Sequence, residues 1–283
     1  MTSPLDEARA SNSCSGLDSA ELEELDAVAR LYLSANDGFM RLVNRLGESV
    51  GSAIDRLPQD WRARIDGAAE TALQIAWEGA AATRPRRDAR LRGTAPLRWA
   101  TGERWHRYAT AATGALGGLG GLPTTLADLP VTITLILRSI QQIAAEYGED
   151  PAADDVRRQC VAVFALGGPL PEDDEQDASL LAVRLALTGK AAVDIIRIVA
   201  PRLGIVVSEK LLAQATPLLG AAAGAAINPA FTRYYQRLAH VHFRLRAIEQ
   251  RHAPEQVRAC FDRIVRAKRG RASPGHPPAA PAD

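Results

Sequence analysis

Apolar residues recur at helical spacing along nearly the whole chain, and the alternating pattern that strands need is scarce. One stripe follows a capping box formed by Asp18 and Glu21 and consists of Leu22, Leu25, Val28, Ala29 and Tyr32. A later stripe consists of Phe231, Tyr235, Leu238, Val241, Leu245 and Ile248. The pattern predicts an all-α protein, a multi-helix bundle with Gly/Ala-rich central helices.

Proline and small polar residues mark the predicted helix boundaries. Asn36 is expected to cap a second helix, and Asn228 a later one that has Pro229 in its first turn. Asp128 is expected to cap a helix that begins at the next residue, and Pro201 is expected to end another helix. If the helix after Asp128 packs inside the protein, that carboxylate needs a partner, for which Arg138 and Lys190 are the candidates.

Composition shifts divide the chain into parts. An internal stretch combines two prolines, a glycine and a run of arginines, and the last residues have no apolar pattern. The predicted organisation is a disordered N-terminus 1–17, N-terminal helices 18–83, an Arg-rich linker 84–98, a helical core 99–269 and a disordered tail 270–283.

Two runs almost without charge, 109–127 and 211–232, lie inside the predicted core. Glycines four residues apart remove side chains from one helix face, so that two helix backbones can approach closely. The candidate close-packing residues are Gly114, Gly118, Gly220 and Gly224. Each run has about the length that spans a bilayer, roughly 20 residues. Their glycines, threonines and prolines make membrane insertion marginal.

The chain of 283 residues has 34 basic and 33 acidic residues, and its net charge of +1 argues against a nucleic-acid partner. Charge is nevertheless concentrated locally. Residues 84–107 carry eight arginines against two acidic residues, and residues 233–271 carry eleven basic residues against three acidic ones. Both segments would face one anionic leaflet, where aromatic residues anchor at the headgroups. The candidate anchors are Trp99, Trp105, Tyr234 and Tyr235.

Two interpretations of these runs stay open. In one, both are Gly/Ala-rich helices buried in a soluble bundle, with the arginines on solvated faces. In the other, they contact a membrane as a shallow hairpin or a peripheral surface, and a genuine span is the least favoured form of this interpretation.

Cysteine usage predicts a reducing compartment. Cys14, Cys160 and Cys260 are far apart, odd in number and not at zinc-ligand spacing, which argues against a disulfide framework or a structural zinc. The acidic N-terminus lacks a basic segment followed by an apolar run, so no secretory signal is expected.

No pattern of residues indicates catalysis. The glycine-rich run lacks the following Gly-Lys-Ser/Thr of a phosphate loop, and serine-hydrolase and zinc-protease motifs are missing from the sequence. His240 and His242 point about 200° apart on a helix, so they cannot share a metal. Glu146, Glu149 and Asp150 could hold a cation, but a solvated helix end is the preferred interpretation. The sequence therefore predicts no enzyme, no cofactor and no metal.

Several segments in combination resemble the EcsC family over about residues 60–265. They are GGLPTTLADLPVTITLILRSIQQIAAEYGED, CVAVFALGG, TPLLGAAAGAAIN and FTRYYQRLAHVHFRLRAIE. The residues that match recurring polar and glycine positions of that family are Asp128, Arg138, Gly167, Gly168, Lys190 and Asn228. The resemblance gives these residues no catalytic role. It implies a link to the components of an ABC-type exporter, and it favours membrane association.

Together these features predict a non-enzymatic accessory protein in the cytoplasm, peripheral to or partly inserted in the inner face of the cell membrane. The expected partners are anionic lipid and a protein such as a transporter component. The alternatives are a soluble helical module that binds a protein or an apolar ligand, and an enzyme that uses Asp128 and Lys190.

Overall fold

The computed structural model describes residues 14–47, 59–82, 103–119, 122–166, 189–213 and 217–272. Within these ranges there are eight α-helices and no strand, which confirms the all-α prediction. The helices are α1 Ser19–Gly47, α2 Gln59–Ala82, α3 Glu103–Leu119, α4 Leu122–Glu146, α5 Asp154–Ala162, α6 Ala192–Ala213, α7 Pro217–Glu249 and α8 Pro254–Ala272. A short 3₁₀ turn, Val163–Ala165, extends α5.

The chain divides into two compact units. One unit combines the two ends of the chain, Met1–Ser34 and Arg244–Asp283, and the other is Ala35–Phe243.

In the unit formed by the chain ends, the predicted capping box at the start of α1 is confirmed. Glu21 N donates to Asp18 Oδ1 at 2.8 Å, and Asp18 N donates to Glu21 Oε2 at 3.2 Å. The apolar stripe that follows is buried, with Leu25 and Val28 fully enclosed. This part of the structure follows from local sequence alone, because both the cap and the stripe lie within a few residues of each other.

Cys14 and Cys260 form a disulfide across 246 residues of sequence. The expectation that the cysteines form no disulfide is therefore wrong, because the packing of the two chain ends, and not sequence spacing, brings these residues together. Both cysteines are buried, and so is Leu17 in the predicted disordered N-terminus. Disulfides persist in oxidising surroundings, so the pair counts against the cysteine argument for a reducing compartment.

Two carboxylates of α1 contact the C-terminal segment. His252 Nε2 lies 2.7 Å from Glu21 Oε1, and Arg244 Nε donates to Glu24 Oε1 at 2.6 Å. The hydrogen bond from Arg244 holds the pKa of Glu24 below its ordinary value, and the bond from His252 does the same for the pKa of Glu21. These charged contacts tie the first helix to the end of α7 and the loop after it.

In the other unit, α4 is the central helix. It packs against α2, α3, α5 and α6, and α2 also packs against α6. Its apolar stripe is fully buried and includes Ile133, Ile136 and Ile140. Arg157 of α5 lies 4.0 Å over the ring of Trp77 and donates to the carbonyl of that residue at 2.9 Å, so a buried cation joins α5 to α2.

Three prolines lie inside helices, at positions where the sequence was expected to begin or end a helix. Pro130 lies within α4, Pro201 within α6 and Pro229 within α7, and α1 continues without a break through Asn36. The predicted boundaries at these positions are therefore wrong, and Asp128 and Asn228 are not N-caps. Each proline removes one backbone donor from its helix, but it is flanked by buried apolar residues: Leu129 and Ile133 in α4, Ala200 and Leu203 in α6, and Ile227 and Phe231 in α7.

Within the described residues, no helix is both long and apolar enough to cross a membrane. The predicted linker 84–98 lies outside the described residues. Helix α8 ends at Ala272, so helical structure continues slightly past Gly270, where the tail was predicted to begin. The rest of that tail, residues 273–283, lies outside the description.

Candidate functional site

A line of polar side chains runs between α3, α4 and α7. We call it the polar seam. Four of its members recur every fourth residue along α7, so the seam follows one face of that helix for about 18 Å. The polar seam consists of Glu103, His106, Thr110, Thr113, Asp128, Thr132, Ser139, Gln142, Asn228, Thr232, Gln236 and His240.

One end of the polar seam joins Asp128 to Asn228. Asp128 Oδ2 accepts hydrogen bonds from Thr132 Oγ1 at 2.9 Å and from Asn228 Nδ2 at 3.2 Å. Asn228 is fully buried, and its amide also donates to Thr132 Oγ1 at 3.3 Å. Thr113 Oγ1 lies 3.4 Å from the same hydroxyl oxygen. A half-buried carboxylate is thus held by donors from its own helix and from α7.

Neutral polar groups fill the middle of the seam. Thr110 Oγ1 and Thr232 Oγ1 lie 2.9 Å apart, and each also reaches a backbone carbonyl of its own helix. Gln236 Nε2 donates to Ser139 Oγ at 2.7 Å and to the carbonyl oxygen of Glu103 at 3.0 Å. These bonds fix the register of α7 against α3 and α4, because each requires one particular alignment of the helices.

His106 lies beside this middle part. It is buried, and its Nε2 lies 3.1 Å from Gln142 Oε1. Burial lowers the pKa of His106 below its ordinary value, and the nearby Arg138 guanidinium lowers it further. The imidazole is therefore neutral near neutral pH.

The other end of the seam brings a histidine to two carboxylates. His240 Nε2 lies 2.9 Å from Glu103 Oε1, and Tyr147 OH lies 2.9 Å from His240 Nδ1. Glu146 completes the group, and one ligand atom each from Glu103, Glu146 and His240 lies within 4.8 Å of the others. The hydrogen bond from His240 holds the pKa of Glu103 below its ordinary value. This set of donors is chemically suited to a divalent cation.

A basic and aromatic surface lies next to this end, on α3 and α7. Burial lowers the pKa of Arg237, and repulsion from Arg233 and Arg107 lowers it further. On α3, the helix that carries Arg107, Trp105 is 39% exposed and Tyr108 is 71% exposed. We call these five residues the basic surface. It combines concentrated positive charge with exposed amphipathic rings.

The structure separates the residues that the family resemblance singled out. Asp128 and Asn228 meet in the polar seam, where Thr132 and Asn228 donate hydrogen bonds to the Asp128 carboxylate. Arg138 is half-buried near His106, and Lys190 is exposed in the turn before α6. The family-motif residues Gly167 and Gly168 lie outside the described residues.

The predicted glycine pairs lie in helices. Gly114 and Gly118 belong to α3, where Gly114 is buried, and Gly220 and Gly224 belong to α7. Their predicted close packing lies outside the described contacts.

The predicted aromatic anchors differ in their burial. Tyr234 and Tyr235 are buried, so their expected role at the headgroups is wrong, and Trp99 lies outside the described residues. Tyr234 and Tyr235 pack edge to face against each other, and the second also contacts Phe231, because that side of α7 faces the core. Trp105 remains exposed, and Tyr108 joins it as a residue that the sequence reading did not select.

The sequence reading also missed most of the polar seam. It considered His240 only with His242, and Glu146 only with its neighbours in sequence. The signal that could have found the seam is the four-residue spacing of Asn228, Thr232, Gln236 and His240. Polar residues at that spacing share one face of a helix, and here that face is buried.

The fold and the site define an all-helical protein whose helices are joined by a buried polar seam. The EcsC protein family matches residues 19–248, and the chain belongs to that family. The match begins at residue 19, well before the expected residue 60, so it includes α1, and it ends before α8. No curated protein and no solved structure matches the chain.

Proposed function

We propose that this EcsC family protein is a non-enzymatic accessory protein that binds anionic lipid through the basic surface, at the inner face of the cell membrane. The observations that support the proposal are the repulsion that Arg107 and Arg233 exert on Arg237, and the exposed rings of Trp105 and Tyr108 on the helix that carries Arg107. Three cations that repel one another gain from an anionic surface that neutralises them.

The two basic segments of the sequence contribute to the same surface. Arg107 comes from the first segment and Arg233 and Arg237 from the second, although more than a hundred residues separate them in sequence. The ring of Tyr108 gives the surface an apolar body with a polar tip, the combination that favours the headgroup level of a bilayer. Charge attracts the protein to the bilayer, and the rings add apolar contact.

The strength of this attraction can be estimated. An arginine near an anionic leaflet contributes about 1 kcal/mol, so removal of two arginines should weaken vesicle binding about 30-fold. The attraction should weaken at high salt, because screening shortens the range of the charges.

The test is flotation of the full chain with phosphatidylglycerol-containing vesicles and with phosphatidylcholine vesicles, at low and high salt. The variant R107Q/R233Q removes two charges from the basic surface, and the matched control R197Q/R263Q removes two exposed arginines of α6 and α8. Tyr108→Ala tests the ring, with the exposed Val193→Ala as its control.

We expect wild type and both controls to float with anionic vesicles at low salt, and R107Q/R233Q to float much less. No flotation of wild type with anionic vesicles would contradict the proposal and favour the soluble, partner-binding module. Equal losses of flotation in R107Q/R233Q and R197Q/R263Q would also contradict the proposal, because vesicle binding would then depend on net charge and not on the basic surface.

The family resemblance extends the proposal to a protein partner, a component of an ABC-type exporter. A photo-cross-linking residue at Tyr108 in cells should capture a transporter subunit, identified by mass spectrometry, if the basic surface is also the docking site. The Cys14–Cys260 disulfide of the structure counts against a reducing location, so the proposed location requires that this pair is reduced in the cell. Rapid alkylation on cell lysis should label both cysteines there, whereas a retained disulfide would contradict this location.

A further inference from the structure

We propose that Glu103, Glu146 and His240 form a binding site for one divalent transition-metal ion, of the class of Zn²⁺. Among the described residues they are the one set of three such side chains whose ligand atoms lie within 4.8 Å of one another. The ligands come from three helices, α3, α4 and α7. A bound ion would therefore connect the same helices that the polar seam connects.

The distances suit an ion. With metal–ligand bonds of about 2.1 Å, two ligand atoms lie about 3.4 Å apart in a tetrahedral site and about 3.0 Å apart in an octahedral one. His240 Nε2 and Glu103 Oε1 are 2.9 Å apart, so this pair needs almost no movement. Glu146 is exposed at the end of α4, and its side chain can close the remaining gap by rotation.

The histidine is already oriented by a second group. Tyr147 OH lies 2.9 Å from His240 Nδ1, the arrangement in which a metal-binding histidine is held by a hydrogen bond to its other nitrogen. With an ion on Nε2, the neutral imidazole would carry its proton on Nδ1, and this N–H would donate a hydrogen bond to the Tyr147 oxygen. The tyrosine ring also packs edge to face on the imidazole, with ring centroids 5.7 Å apart. Tyr147 is therefore a positioning residue of the site.

The backbone of the first ligand is also fixed. Gln236 Nε2 donates to the carbonyl oxygen of Glu103, and Gln236 is 1% exposed. The Gln236 amide oxygen has no hydrogen-bond donor among the described residues, one helical turn from His240. The site thus combines two hydrogen-bonded ligands, Glu103 and His240, with one exposed ligand, Glu146.

The donor set indicates the class of ion. Two carboxylates neutralise a divalent charge, and the imidazole favours zinc and its neighbours over magnesium and calcium. Three protein ligands leave one coordination position of a tetrahedral ion for water or an anionic oxygen. This proposal differs from the expectation of no metal, which considered His240 and Glu146 separately.

The test is isothermal titration of the chelator-treated full chain with Zn²⁺, with Co²⁺ absorption as a second readout of coordination. We expect one Zn²⁺ per chain, and at least 10-fold weaker binding in H240Q and in E103Q. Because those residues are partly buried, E146Q is the decisive variant: its side chain is exposed, so it should fold normally and still bind at least 10-fold more weakly. Tyr147→Phe should weaken binding about 10-fold and shift the Co²⁺ spectrum.

The matched control is His252→Gln. His252 Nε2 lies 2.7 Å from Glu21 Oε1, so it is also a histidine–carboxylate pair, but it has no third ligand among the described residues. Zinc binding should be unchanged in this variant. The proposal is overturned if wild type binds no stoichiometric Zn²⁺, if E146Q binds as tightly as wild type, or if H252Q loses as much affinity as H240Q.

Discussion

Substitution of Asn228 tests whether the polar seam is held by a charge-assisted hydrogen bond. Truncation in Asn228→Ala removes its bond to the Asp128 carboxylate, which contributes about 1.5–3 kcal/mol, and its weaker bond to Thr132, about 1 kcal/mol. It also removes the Asn228 amide oxygen, which is buried and has no hydrogen-bond donor among the described residues. Removal of this oxygen restores about 1 kcal/mol of stability. We expect a net loss of about 2 kcal/mol in the free energy of unfolding.

The isosteric variant Asn228→Asp should be worse than truncation. It places a second carboxylate 3.2 Å from Asp128 Oδ2, in a fully buried position where like charges repel strongly. Loss of the buried Asn228–Asp128 contact in this way should lower the unfolding free energy by about 3–5 kcal/mol. The order of the two variants, and not the size of either loss, identifies the physical cause.

The assay is urea unfolding followed by circular dichroism, at neutral pH. The matched control is Gln74→Glu, because Gln74 Nε2 also donates to a carboxylate four residues away, Glu70 Oε1 at 3.4 Å, but on an exposed surface. That change should cost less than about 0.5 kcal/mol. If Asn228→Asp is milder than Asn228→Ala, repulsion between two carboxylates does not set the order of the variants and the reasoning fails.

Three further predictions concern other contacts. The disulfide of Cys14 and Cys260 closes a loop of 246 residues, so the double serine variant should lose up to about 5 kcal/mol in urea unfolding, whereas equal midpoints would contradict a chain-entropy effect. Because burial lowers the pKa of His106, the unfolded chain binds its proton more readily, and unfolding free energy should fall as pH drops below 6.5. His106→Gln should reduce the slope of the unfolding free energy against pH in this range. An unchanged slope would contradict the lowered pKa of His106. Asp18→Ala removes the side-chain cap of α1 and should lower the unfolding free energy by about 1 kcal/mol in thermal unfolding. Ser19→Ala, at a neighbouring position that does not cap the helix, should lower it much less.

The parts of the fold that depend on local order could be predicted from the sequence. The capping box of Asp18 and Glu21 lies within one helical turn, and its two bonds form as expected. The apolar stripe of α7 from Phe231 to Ile248 is buried throughout, because an apolar face has to leave water wherever the helix packs. Both features need no knowledge of distant residues.

The candidate sites depend on contacts that the local sequence does not encode. Asp128 and Asn228 are 100 residues apart, and Glu103 and His240 are 137 residues apart. The predicted partners of Asp128 were charged residues, because a buried carboxylate was expected to need a cation. Its carboxylate oxygen Oδ2 accepts hydrogen bonds from two neutral side chains, Thr132 of its own helix and Asn228 of α7.

Pro130 of α4 and Pro229 of α7 show why Asp128 and Asn228 were wrongly predicted to start helices. Pro130 and Pro229 each lack the amide hydrogen that would bond to the carbonyl four residues earlier, so both helices lose one internal bond at that level. Asp128 and Asn228 lie within two residues of those prolines and bond to each other across the helices. The interhelical bonds of Asp128, Thr132 and Asn228 therefore act where the backbone ladder of both helices is weakest. A sequence pattern of polar residue and proline, which usually starts a helix, here marks a cross-link between two uninterrupted helices.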